Sequence, residues 1–139
     1  MAAGLYERNN GSPEAKDGKL SGYPWGKVWP PPAGTGNFAG EEANDADWPP
    51  TFRVIKGYRD DFPRTSPVGY FDRTGMGLFD MGGNLWQWCQ DGYAGLQGDL
   101  VLRGGSWREM QWQSSKRFHA RFSDRRADIG FRVVLEGIR

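Results

Sequence analysis

Cysteine is almost missing: the 139 residues hold one, Cys89. No internal disulfide can therefore staple the fold, and Cys89 reads as a buried small hydrophobe. Histidine is equally scarce, with His119 alone. A single imidazole reads as a loop or surface residue rather than as part of a metal centre. No apolar run approaches the roughly 18 residues of a membrane span, and Met1–Asn10 lacks the apolar stretch of a secretory signal. A cytoplasmic location is the default expectation, and the host compartment is otherwise unknown. An excess of one charge is missing too, since 18 Lys and Arg face 17 Asp and Glu for a net +1. That balance provides no field to attract nucleic acid or an anionic membrane, and neither is expected as a partner. The densest basic stretch, Lys116, Arg117, Arg121, Arg125 and Arg126 around His119, is diluted by Asp124 and Asp128.

What is present is glycine, proline and aromatic rings: 21 Gly, 9 Pro and 7 Trp. So much Gly and Pro approaches the composition of disordered chains, whereas so many rings require a core. A loop-dominated single domain satisfies both. Residues 1–20 are polar and turn-rich and read as a mobile or adaptable arm, with the domain running over 21–139. Tyr23–Pro50 interleaves prolines with Trp25, Trp29 and Trp48, which excludes regular helix or central strand. It reads as a packed loop. Strands are predicted over Val68–Asp72, Asn84–Gln90, Val101–Ser106, Lys116–Phe122 and Ile129–Leu135, each bounded by Gly, Asp or Arg. In the last, Phe131, Val133 and Leu135 alternate with Arg132, Val134 and Glu136, which predicts one strongly apolar face. Trp86 and Trp88 are two apart and share a face, with Leu85, Gln87 and Cys89 on the other.

Three phrases punctuate this sequence: Gly77-Leu78-Phe79-Asp80-Met81-Gly82-Gly83-Asn84-Leu85-Trp86-Gln87-Trp88, then Leu102-Arg103-Gly104-Gly105-Ser106-Trp107, then Ile129-Gly130-Phe131-Arg132-Val133. Paired glycines allow tight turning or close backbone approach, and the tryptophans pack beneath. In this order the phrases resemble the formylglycine-generating and sulfatase-modifying-factor family, as do Tyr23-Pro24-Trp25-Gly26, Gly36-Asn37-Phe38-Ala39-Gly40 and Thr65-Ser66-Pro67-Val68-Gly69. The resemblance runs from about Ser21 to Leu135. It implies an α+β, C-type-lectin-like fold, loop-rich, with short antiparallel strands and little helix. The strand-and-helix region that precedes the YPWG phrase in the family is not in this sequence, which corresponds to the C-terminal half. Half a domain would expose sheet edges and apolar surface, so self-association or a partner supplying the other half is expected.

The family's oxidation of a substrate cysteine depends on two cysteines that hold copper between the RGGS and GFR phrases, because soft thiolates suit Cu(I). The resemblance places these positions at about Gln113 and Phe118, so no copper is expected. A relative with the same fold uses iron held by three histidines of a separate helical domain; His119 alone does not provide that, and no iron is expected. Calcium is the expected metal. The family's structural calcium site matches Asn37, Phe38, Asp60 and Phe62, which offer the oxygen ligands of a hard cation. A second family site falls on Gly83, Leu85 and Gln87, where Gln87 stands in place of a glutamate and weakens it.

The resulting expectation is a non-catalytic binding module that recognises a protein or peptide through Arg108, Glu109, Gln111, Trp112, Lys116, Phe118, His119 and Phe122. These are aromatic and basic groups in the region of the family's substrate groove. Two alternatives remain open: a fragment of a larger family enzyme whose activity needs the missing half or an attached domain, and the variable ligand-binding protein of a diversity-generating retroelement.

Overall fold

The computed structural model describes residues 12–19, 22–45, 48–49, 51–109 and 113–135. Loops and turns dominate them. Regular structure comprises a 3-10 helix over Glu41–Asp45 and four strands, β1 Trp86–Gly92, β2 Asp99–Arg103, β3 Phe118–Arg121 and β4 Ile129–Gly130. The sheet order is β3-β2-β1-β4. β1 with β2 and β2 with β3 are antiparallel, whereas β4 runs parallel to β1 through Trp86↔Ile129 and Gln87↔Gly130. A bulge interrupts the β1–β2 register between Trp88 and Gly92.

The predicted strand over Val68–Asp72 is a turn instead. Gly69 takes a φ of 73° and donates its amide to the Asp80 carboxylate at 2.7 Å, while Tyr70 N returns to the Pro67 carbonyl. A proline followed two residues later by a left-handed glycine favours turning over pairing. The strand predicted over Ile129–Leu135 pairs only at its first two residues. Beyond them Phe131, Val133, Val134 and Leu135 are all exposed, so the alternation in sequence does not produce one covered face among the described residues.

Among the described residues, two apolar clusters form the core. On the sheet, Trp86, Leu102 and Ala120 are buried, with Trp88 and Ile129 packed against them, so the two β1 tryptophans do share a face. In the loop layer, Phe38, Ile55 and Tyr58 are buried beneath Trp25. Trp25 stacks on Tyr23 with ring centroids 4.9 Å apart, which is how the proline-rich segment packs without regular structure.

The three sequence phrases meet where these layers join. Gly83 N donates to the Gly104 carbonyl, Asn84 N to the Asn37 carbonyl, Trp107 N to the Asn84 carbonyl and Trp86 N to the Asp128 carbonyl, all at 2.8–2.9 Å. The Asn84 side chain accepts from Ser66 N at 3.1 Å and donates to the Ser66 carbonyl at 3.2 Å. Arg103 donates to the carbonyls of Ser114, Ser115 and Lys116 at 2.8–3.0 Å, fixing the loop that leads into β3. Each phrase thus supplies backbone partners for another, as buried polar groups require.

Residues 12–19 lie against the start of β3. Asp17 accepts from Arg117 N at 2.8 Å, and Glu14 takes the Arg117 guanidinium at 2.5 Å. That hydrogen bond, foremost among several, holds the Glu14 carboxyl down at about 2.

Candidate functional site

The first candidate site forms where the Asn37 loop meets Asp60. Asn37, Phe38 and Asp60 are buried, so the polar atoms here must find partners within the protein. Asp60 Oδ2 accepts from Phe38 N at 2.7 Å and Oδ1 from Phe62 N at 2.9 Å. All four residues expected from sequence therefore meet at one place, with Asn37 anchored by donation from Nδ2 to the Arg64 carbonyl at 2.5 Å. Asn37 Oδ1 is buried and has no hydrogen-bond partner.

Sequence reasoning missed a fifth residue. Glu42, in the 3-10 helix, is buried; its Oε2 accepts from Asp60 N at 3.4 Å, and its Oε1 is another buried acceptor without a donor. Burial is the main cause that pushes the Asp60 carboxyl up to about 7; the Glu42 charge adds to it, while the amides of Phe38 and Phe62 pull the other way. The neighbouring Tyr58 phenol is pushed up by burial and then by the charges of Asp60 and Glu42, and donates to the Gly36 carbonyl. Two orphaned oxygens beside a desolvated carboxylate suit a hard cation with oxygen ligands. Among the described residues no three His, Cys, Asp or Glu side chains cluster as a metal centre, so a cation here would need neutral oxygens as well.

The second expected site has different chemistry. Gln87 donates from Nε2 to the Asp80 carbonyl at 2.6 Å and accepts from Arg132 Nε at 3.1 Å. Arg132 Nη2 donates to the Phe79 carbonyl at 2.6 Å. Leu85 packs against the β4 backbone, within 2.8 Å of where a Gly130 Cβ would lie, and Gly83 takes a φ of 78°. A guanidinium already takes up acceptor oxygens beside Gln87, and the carboxylate is missing. The residues do not fit a cation.

An open cleft of about 810 Å³ is lined by Tyr23, Trp29, Thr51, Phe52, Arg53, Arg108, Glu109 and Gln113. Arg108 is held in place: its guanidinium lies 4.8 Å over Phe52 and 5.6 Å over Trp107, and 3.9 Å from the buried Asp128 carboxylate. Trp86 Nε1 donates to Glu109 Oε1 at 3.4 Å, linking a cleft-lining residue to the sheet core.

Of the eight ligand-binding residues expected from sequence, Arg108 and Glu109 line this cleft. Gln111 and Trp112 lie outside the described residues. The other four sit elsewhere. Lys116 is 3.7 Å from Asp17; Phe118 stacks on Trp86 at 5.5 Å; His119 Nδ1 is 2.6 Å from Asp99 Oδ2 and packs on Tyr93; Phe122 is exposed. The cleft's other aromatic and basic members, Tyr23, Trp29, Phe52 and Arg53, come from the proline-rich loop and the segment after it. Their signal in sequence was that same alternation of rings and prolines. Gln113, one of the two positions aligned with the copper cysteines, lines the cleft, whereas Phe118, the other, belongs to the sheet. Cys89 lines a different cavity of about 430 Å³ with Glu14, Arg103 and Arg117, and burial pushes its thiol up.

No helix of the described residues is long and apolar enough to cross a membrane. Comparison with known proteins places the chain. It is 27% identical over 115 residues to the "Formylglycine-generating enzyme" of Thermomonospora curvata, covering 83% of this chain and 30% of that protein. It is 34% identical over 98 residues to the "Inactive C-alpha-formylglycine-generating enzyme 2" of Bos taurus, covering 67% of this chain and 29% of that one. The solved structure of PvdO from Pseudomonas aeruginosa superposes with a TM-score of 0.52 at 28% identity, over 72% of this chain and 38% of PvdO. The chain thus spans less than two fifths of the length of each. The loop-rich architecture with its few strands is of the formylglycine-generating-enzyme type. Residues 11–137 match the Sulfatase-modifying factor enzyme 1-like domain, and the chain belongs to that family.

Proposed function

We propose that this chain is a non-catalytic member of its family that takes a polypeptide segment into the cleft beside Arg108 and is clamped by one calcium ion at Asp60. The cleft carries the reading. Tyr23, Trp29 and Phe52 line it together with Arg53, Arg108 and Glu109, and aromatic and arginine side chains dominate the binding energy of protein interfaces. Its openness and mixed polarity suit an extended chain, whose apolar side chains pack on rings and whose carbonyls and amides meet the charged groups.

The absence of oxidation chemistry rests on residue types. No cysteine stands between Arg103 and Arg132, and Cys89, with its thiol held protonated by burial, lies in another cavity. A soft metal needs thiolates, and the cleft offers none. For calcium, Asn37 Oδ1, the Asp60 carboxylate and the carbonyls of Phe38 and Phe62 would hold the ion, which would supply the positive charge that this buried acid lacks. It would thereby pin the Asn37 loop to the segment around residue 60.

A displayed random-peptide library tests the cleft. Clones enriched on the wild-type chain are expected to bind W29A and R108A at least about tenfold more weakly, with near-UV circular dichroism unchanged. Clones that bind the folded variants as tightly as wild type would contradict the assignment.

A further inference from the structure

We infer that Glu42 is a second carboxylate of the calcium site, a ligand that this chain adds to the set its family resemblance implies. The inference rests on the calcium reading of the Asp60 site. Three observations carry it. Glu42 is 6% exposed, and its Oε1 is buried with no donor. Its other oxygen accepts from Asp60 N at 3.4 Å, which brings the Glu42 carboxylate to the backbone of the residue that bears the first carboxylate. The space above Gly40 is filled by the Glu42 carboxylate, so that a Cβ at Gly40 would collide with both of its oxygens; a glycine there lets the acid fold back over its own loop.

Burying an acid without a partner is costly, and a second acid beside it compounds the cost by like-charge repulsion. No ion pair within 4.0 Å joins either Glu42 or Asp60 to a Lys, Arg or His among the described residues. Asn37 Oδ1 adds a second acceptor without a donor. A surplus of buried oxygens and of negative charge at this site, with no cation paired to it among the described residues, is what a divalent ion resolves. Two carboxylates would balance its charge, and the ligand charge count is a main determinant of calcium affinity. Glu41, the adjacent residue, is used otherwise: it accepts from Gly57 N at 2.8 Å.

The experiment uses the full chain, stripped with chelator and titrated with calcium chloride by calorimetry, alongside melting curves with and without calcium. E42Q is expected to lose about tenfold or more in calcium affinity, with E41Q changed by less than about threefold. Without calcium E42Q should melt at or above wild type, because a buried charge has been removed. Wild type that binds calcium together with E42Q of equal affinity would overturn the role of Glu42 alone. A melting temperature lowered equally with and without calcium would do the same, since it marks a purely structural side chain. Wild type that binds no calcium at millimolar concentration would overturn the calcium reading and this inference with it.

Discussion

Calcium is expected to raise the melting temperature of the wild-type chain by about 10 °C at a hundredfold excess over its Kd, and Asp60→Asn to abolish the rise. An ion that binds only the folded state contributes about 2.7 kcal/mol at that excess, and each kcal/mol moves the midpoint of a domain this size by roughly 3–6 °C. Asp60 is the residue to change because its carboxylate meets both Phe38 and Phe62, so it links the two loops that the ion would join. The pH dependence follows from the same group. Its folded value is about 7 against an ordinary 3.8, so between these values the metal-free folded chain holds a proton that the unfolded chain has lost. The favourable contribution of protonated Asp60 is therefore complete below about 4 and is lost as pH rises through about 7. Calcium prefers the ionised carboxylate, so its stabilising effect should grow from pH 5 to pH 8. Melting curves at both values, with calcium and with chelator, measure this; a calcium effect equal at the two would contradict it.

Gly83→Ala is expected to destabilise the fold by about 3 kcal/mol or more, enough to unfold a marginal domain. Gly83 sits at a φ of 78°, where an L side chain is strained, and an added Cβ would lie 2.5 Å from Phe38 Cε1 and closer still to the Asn37 carbonyl oxygen. Neither neighbour is a flexible side-chain end. The strain and the clash add, and the same displacement would disturb the Asn84 N to Asn37 carbonyl bond at 2.8 Å. Urea melts of Gly83→Ala and of Gly57→Ala separate the two effects. Gly57 has a φ of 75° but nothing within 4 Å of the added atom, so it reports strain alone and should lose about 1 kcal/mol. Equal losses at both positions would show that the close approach at Gly83 contributes nothing.

Much of the fold was legible because its punctuation is written in residues that admit few conformations. The paired glycines and the β1 tryptophans read from sequence as close approach and a shared face, and they stand so in the structure. Asn37, Phe38, Asp60 and Phe62 were grouped through a family resemblance, and hydrogen bonds now join Asp60 to Phe38 and Phe62. Glu42 was not legible, because nothing in Glu41-Glu42 says which carboxylate turns inward; that depends on Gly40 leaving room. The cleft was half legible. Arg108 and Glu109 follow directly after the Arg-Gly-Gly-Ser-Trp phrase, but Tyr23, Trp29 and Phe52 reach it through a loop whose path no periodicity encodes. The grouping of Lys116, Phe118, His119 and Phe122 with them assumed a common face, whereas β3 alternation sends Phe118 toward Trp86 and His119 toward Asp99. The C-terminal stretch shows the limit of pattern reading, since alternation in 131–135 describes side chains and says nothing about whether a neighbouring strand is there to cover them.

The proposed function makes this chain a family frame that would hold a polypeptide without oxidising it. Mass spectrometry of a Cys-x-Pro-x-Arg peptide incubated with the full chain, copper, reductant and oxygen tests this most directly. The expected result is an unchanged cysteine at every time point. Conversion of that cysteine to the aldehyde, dependent on the chain and lost in Cys89→Ser or Gln113→Ala, would contradict the account.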